Sequence, residues 1–178
     1  SIASKLSKYK DKPMFDIEVL PSNIILNDSA WNIGQARIAY SIAEKRMDIT
    51  NFSLHTDYQS IIANGTASEL ATDSIDVVLN NINLDYLLSY TEASKAISIM
   101  GPVTGQAQVY SVFSAPMLEA QAQIRNGGLN GVYLGDVTAE ARLDRENKTI
   151  LIEGEAIDST GHRVAEVTGK VIPATKWW

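Results

Sequence analysis

The stretch NGGLNGVYLGDVTAEARLD (Asn126–Asp144) decides how this chain is read. It opens on a turn-like cluster, tightens around glycines, and then alternates small apolar residues with polar and charged ones. Successive side chains of a β-strand point to opposite faces, so a period of two divides the stretch into two rows. One row is Gly135, Val137, Ala139, Ala141 and Leu143; the other is Asp136, Thr138, Glu140, Arg142 and Asp144. The first row belongs inside, and it is thin for a core.

The same parity extends in both directions. GPVTGQAQVYSVF puts Gly101, Val103, Gly105, Ala107, Val109, Ser111 and Phe113 on one side, against Thr104, Gln106 and Gln108 on the other. PMLEAQAQIR sets Leu118, Ala120, Ala122 and Ile124 against Glu119, Gln121, Gln123 and Arg125. Downstream, Ile150, Ile152, Gly154 and Ala156 form one row, and Ala165, Val167, Gly169 and Val171 another. These strands read as a meander with one apolar face and one wet face. A sandwich core about 10 Å thick is filled by large branched and aromatic side chains at near-crystalline density, which these rows do not supply.

Two readings are open. In one, the sheet curls or packs closely on its other half, and the small residues permit that approach. In the other, the missing volume is taken by the hydrocarbon of a ligand. An acyl chain suits a smooth wall without hydrogen-bonding groups, because each buried methylene contributes about 0.8 kcal/mol. Strand glycines would ease the bending that such a trough needs.

The rest of the chain has the same rhythm. Strands are expected at Met14–Leu20, Asn23–Asp28, Asn32–Ser41, Arg46–His55, Tyr58–Ala67, Ser74–Asn80, Gly101–Phe113, Pro116–Arg125, Val132–Asp144, Lys148–Ile157 and Arg163–Ile172. RENKT (145–149) and DSTG (158–161) have hairpin-turn chemistry. In NLDYLLSYTEASKA, Leu84, Leu87 and Leu88 recur at helical spacing behind an Asn83 cap, which predicts one amphipathic helix over 83–96. The expected organisation is a lead-in over 1–22 with room for a first strand, an all-β domain over 23–173, and a tail over 174–178. The abrupt ends read as cuts in a longer protein.

Composition narrows the chemistry. The net charge of −6 and the scattered Lys and Arg argue against a nucleic-acid partner. Lys5, Lys8, Lys10 and Lys12 do cluster, and they read as a solvated lead-in or a contact for acidic headgroups. Without cysteine there is no disulfide, thiol nucleophile or thiolate metal site. No apolar run reaches the roughly 18 residues of a membrane span.

His55 and His162 stand apart and form no metal-binding spacing. No serine sits in a GxSxG elbow, and Glu153 and Glu155 fall on one outward strand face. NGGLNG leads into a strand pattern rather than a helix, so it is no phosphate loop. Asn27, Asn51, Asn64 and Asn147 begin N-x-S/T triplets, which matter only in a eukaryotic secretory setting. No enzyme, cofactor or metal is indicated by these residues.

Several segments, taken in order, carry a family resemblance. They are DSAWNIGQARIAYS, ITNFSLHTDYQSIIANGTAS, VVLNNINLDYLLSY, IMGPVTGQAQV, FSAPMLEAQAQIRNGGLNGVYLGDVTAEARLD and IDSTGHRVAEVTGKVIP. Together they resemble the C-terminal region of TamB-type translocation and assembly module proteins, in the AsmA-like repeating β-groove group. The resemblance covers about Asp28 to Pro173.

It implies a curled, largely antiparallel sheet shaped like a taco. It further implies a periplasmic segment of a diderm envelope protein, anchored in the inner membrane and partnered with an Omp85-type outer-membrane barrel. The implied role is to hold or conduct phospholipid acyl chains, or to support assembly of outer-membrane protein clients; no catalytic residue or cofactor is carried over. The groove wall would be Val103, Ala107, Val109, Phe113, Leu118, Ala120, Ala122, Ile124, Val137, Ala139, Ala141, Leu143, Ile150, Ile152, Val167 and Val171. The alternatives are a closed structural scaffold or adhesin-like domain, and a carbohydrate-active enzyme for which Trp31 would be an aromatic platform. Cut edges of such an array would also invite strand pairing between copies.

Overall fold

The structure, a computed structural model, describes residues 2–9, 12–26, 28–85 and 98–171. Among them the fold is all-β. The strands are β1 (Ile2–Tyr9), β2 (Lys12–Val19), β3 (Ser22–Leu26), β4 (Ser29–Ile33), β5 (Ala36–Ser41), β6 (Arg46–His55) and β7 (Ser60–Ala67). They continue as β8 (Ser74–Asn83), β9 (Ile99–Met100), β10 (Pro102–Tyr110), β11 (Met117–Leu129), β12 (Val132–Asp144), β13 (Thr149–Ile157) and β14 (Arg163–Val171). The pairing order is β1-β2-β5-β6-β7-β8-β10-β11-β12-β13-β14, with β3 paired to β4, β4 also to β6, and β9 to β11. This path is open and does not close into a barrel.

Several sequence expectations need correction. The lysine-bearing lead-in is a hairpin, with β1 and β2 in register from Ile2 opposite Val19 to Tyr9 opposite Lys12. The single strand expected at Asn32–Ser41 is two, because Gly34 and Gln35 interrupt it. The turn expected at the start of NGGLNG is strand: β11 runs through Asn126–Leu129 with register shifts, and the chain reverses at Asn130–Gly131. Both turn residues have positive φ, 49° and 81°, as a tight two-residue hairpin requires.

The expected helix begins directly after β8. Leu84 and Asp85 are helical, and Asn83 Oδ1 accepts the Asp85 N–H at 3.1 Å, which is the capping bond foreseen from the sequence. The remainder of that helix and the C-terminal tail lie outside the described residues.

The chain forms two compact units. One is built from the residues up to Val78 together with Ala107–Leu118; the other from Leu79–Gln106 together with the residues from Glu119 onward.

In the first unit, cross-strand register brings Leu6, Phe15, Tyr40, Met47 and Ala67 into one row. Ile17, Ile38, Ile49 and Gly65 form the next. These rows carry large aliphatic and aromatic groups. Beside them, Trp31 is buried on β4, so it is no exposed platform for a sugar ring. The opposite face is polar: the Arg37 guanidinium donates to both carboxylate oxygens of Asp16, at 2.7 and 2.8 Å. That pair sits in an open recess of about 580 Å³, with Lys5, Glu18 and Gln35 among its walls.

A repeated device bends the strands. Between Ile49/Gly65 and Phe52/Ala63, two residues of β6 oppose one of β7. The second of the two, Asn51, has φ 57°, and its N–H donates to Asn64 Oδ1 at 2.6 Å. Between Ile124/Val137 and Gly127/Gly135 the arrangement recurs: Asn126 has φ 49° and donates to Asp136 Oδ1 at 2.9 Å. Asn81, with φ 56°, donates in the same way to Thr104 Oγ1 at 3.1 Å. Asn tolerates left-handed backbone better than most residues, and the extra residue re-aims the strand beyond it. Asn51 and Asn64, which begin two of the N-x-S/T triplets, therefore have a structural use.

Candidate functional site

The second unit presents the small apolar face anticipated from the sequence, and register shows how it is composed. Ala120, Ala141, Ile152 and Gly169 stand side by side across β11, β12, β13 and β14. The next row is Ala122, Ala139, Gly154 and Val167. Gly105 of β10 adjoins it, since a Cβ there would lie 3.2 Å from that of Ala122. Larger residues, Leu143, Ile150 and Val171, flank these two rows on one side; on the other, Ile124 and Val137 are followed across β13 and β14 by the small Ala156 and Ala165.

Burial alternates in the same way. Along β11 from Met117 to Arg125, exposed and half-buried residues take strict turns, and β10 and β14 do likewise over most of their lengths. Of the sixteen wall residues expected, only Val103, at 2% exposure, and Val137, at 5%, are buried. The wall alanines, Ile124, Leu143, Ile150, Ile152, Val167 and Val171 are half-buried. A packed core would hide them. This face remains accessible along most of its rows.

Close backbone approach explains Gly154 and Gly105, whereas a Cβ on Gly169 would make only an ordinary contact, 3.8 Å from Ile152 Cβ. A Cβ on Gly154 would collide with the Thr138 carbonyl oxygen and come within 3.0 Å of Ala139 Cα. Gly105 meets the Gln121 carbonyl in the same way. These positions are flat because neighbouring strands leave no room for a side chain.

Ala107, Val109, Phe113 and Leu118 belong to the first unit. Ala107, Val109 and Leu118 are half-buried, as their parity predicts. Phe113 is a correction. β10 ends at Tyr110, Ser111 adopts φ 49°, and Phe113 lies beyond the strand with 36% exposure. Its N–H donates to the Ser68 carbonyl at 3.1 Å and its ring meets Tyr40 edge-on at 6.3 Å. Its ring contact with Tyr40 lies beyond the strand expected to carry it.

The wet face of the second unit is acidic. Glu140 stands opposite Glu153, and Glu155 opposite Glu166. Arg142 relieves the first pair at 3.3 Å from Glu153, and Arg163 the second at 3.1 Å from Glu166. His162 is exposed in the Asp158 turn, where its Nδ1 lies 2.7 Å from Thr160 Oγ1. The Asp158 carboxyl is held below its ordinary value by the hydrogen bond from Thr160 and the backbone N–H groups around it, which is turn chemistry. His55 is exposed at the end of β6. Among the described residues no set of three or more His, Asp or Glu is grouped to hold a metal.

Comparison with family models, with curated proteins and with solved structures gives no match to this chain. The functional reading therefore rests on the geometry of this face and on the sequence resemblance. What sequence reasoning missed is the first unit's apolar row. The bulge at Asn51 shifts the parity of apolar positions from Met47 and Ile49 to Phe52 and Leu54. A search at a strict period of two passes over it.

Proposed function

We propose that the chain is a groove segment of a TamB-like envelope protein, which holds or conducts phospholipid acyl chains through the small apolar face of its second unit. The single observation that carries the reading is the accessible pair of rows Ala120–Ala141–Ile152–Gly169 and Ala122–Ala139–Gly154–Val167. An acyl chain laid there replaces water along the rows, gains about 0.8 kcal/mol per methylene buried, and leaves no polar group unpaired. Support of outer-membrane protein assembly, an Omp85-type barrel partner and a periplasmic setting belong to the same proposal and come from the resemblance.

A photoreactive residue replacing half-buried Ile152 tests it in cells. Lipid crosslinks are expected, with a severalfold loss when Ala139 or Ala141 is replaced by Glu. Lipid extracted from purified protein and identified by mass spectrometry is the second readout. Protein that carries no lipid and gives no crosslinks would identify the face as part of a structural scaffold instead.

A further inference from the structure

The sequence holds three Asn-Gly pairs, Asn64–Gly65, Asn126–Gly127 and Asn130–Gly131. Such pairs are where a chain modifies itself most readily, because glycine has no side chain to shield its backbone nitrogen from the preceding carboxamide. The fold treats the three differently. Asn64 and Gly65 lie within β7, and Asn126 and Gly127 within β11. Of the three pairs, only Asn130–Gly131 stands outside a strand, as the turn between Leu129 and its partner Val132.

The surroundings sharpen the contrast. A Cβ on Gly65 would strike the Ser74 carbonyl oxygen, and one on Gly127 would come within 3.2 Å of Ile124, Val137 and the Gly135 carbonyl. A Cβ on Gly131 would meet nothing within 4 Å, and both turn residues are exposed. The bonds that close a two-residue hairpin join the flanking residues, so the Gly131 N–H takes no part in the ladder. Asn130 is held from one side only: its N–H donates to the Ser98 carbonyl at 2.9 Å, and its Oδ1 accepts the Ser98 N–H at 2.9 Å.

We infer that Asn130 is a site of spontaneous deamidation and isoaspartate formation, and that this modification loosens β9. The Gly131 nitrogen loses its proton to hydroxide and bonds to Asn130 Cγ. The Cγ–Nδ2 bond breaks, and ammonia leaves with a proton taken from water. A water molecule then opens the five-membered imide, giving aspartate from one carbonyl and isoaspartate from the other. The Ser98 N–H already points at Oδ1, the oxygen on which charge develops as Cγ becomes tetrahedral. Asn64 Oδ1 also accepts an N–H, from Asn51, so it is the freedom of the Gly131 nitrogen that selects the site.

Isoaspartate carries the main chain through Cβ, which lengthens the turn by one atom and leaves a carboxylate as the side group. The two bonds to Ser98 need the N–H and Oδ1 of one ordinary Asn at fixed spacing, so they do not both survive. β9 then loses the tie at its leading end, beside the short pairing of Met100 with Gly128 and Ile99 with Leu129. The groove plays no part in this chemistry.

Purified protein aged at mildly alkaline pH should gain isoaspartate, read by an isoaspartyl methyltransferase and located by fragmentation of its peptides. Conversion should be at least about tenfold faster at Asn130 than at Asn64 or Asn126, which react only in the fraction of molecules whose strands have opened. Asn130→Gly, which suits the positive φ of that position, should remove most of the signal. In the modified fraction, amide exchange at Ile99 should accelerate while β13 and β14 keep their protection. Comparable conversion at all three pairs, an Asn130 that stays intact, or Ile99 exchange unchanged by the modification would overturn the inference.

Discussion

The backbone N–H of Asn126 donates to Oδ1 of Asp136 at 2.9 Å, and the bond sits where two residues of β11 oppose one of β12. Asn51 with Asn64 and Asn81 with Thr104 use the same left-handed Asn and a side-chain acceptor. In each case the acceptor has a glycine next to it in sequence: Gly65, Gly105 or Gly135. The N–H of each left-handed Asn therefore has a partner supplied by a side chain. This gives the twisted strands a fixed register.

Replacing Asn126 by Ala should destabilise the fold by about 1–2 kcal/mol, the strain of placing Ala in left-handed backbone. Asn126→Gly should be close to neutral, because glycine adopts that φ freely. Urea denaturation of both variants checks this. Equal losses would show that the cost lies elsewhere than in the backbone conformation.

Two substitutions on the same face should behave oppositely. Gly154→Val drives a side chain against the Thr138 carbonyl and Ala139, and should cost about 1–3 kcal/mol or more in a denaturant titration. Half-buried Ala141→Leu points into accessible space and should change stability by no more than about 0.5 kcal/mol. Under the proposed function, Ala141→Leu nevertheless lowers the lipid recovered from purified protein.

The Arg37 hydrogen bond holds the Asp16 carboxyl below its ordinary 3.8, against a smaller opposing effect of burial. A carboxyl lowered on folding contributes stability above its unfolded value and loses it as pH falls through the folded one. Wild type should therefore exceed Arg37→Met by a constant, small margin at neutral pH, and the margin should vanish on acidification below pH 3.8. The pair is partly exposed, at 55% and 24%, which keeps that margin under about 1 kcal/mol. NMR titration of Asp16 in Arg37→Met should show its pKa moving up toward 3.8.

Asp85 accepts the Ile99 N–H at 2.7 Å and the Ser98 hydroxyl at 3.0 Å, tying the end of β8 to the start of β9. Asp85→Ala should accelerate amide exchange at Ile99 and at its β11 partner Leu129, with little change across β13 and β14. Uniform acceleration would mean that the contact supports the whole fold rather than one short strand.

Strand positions are legible wherever turn chemistry brackets a clean alternation. Arg46–His55 and Val132–Asp144 match β6 and β12 in full. β1 is hard to see because lysines break its apolar row, and β9 because it is only Ile99–Met100. Alternation that continues past Tyr110 puts Phe113 on the wall, while the left-handed turn at Ser111 ends the strand. The small face is visible in the sequence since β10–β14 keep their parity over the relevant rows. The larger-residue face of the first unit is hidden by its bulge, which inserts a single residue and exchanges odd for even.

Each row of the small face is assembled from one residue per strand. Neighbouring strands lie about 4.8 Å apart, so the rows lengthen in steps set by strand count, about 9.6 Å for every antiparallel pair added. Row width is set independently, by how many consecutive same-face positions on each strand stay at Ala or Gly. Length and width can thus change separately: whole hairpins are counted for one, and single codons for the other.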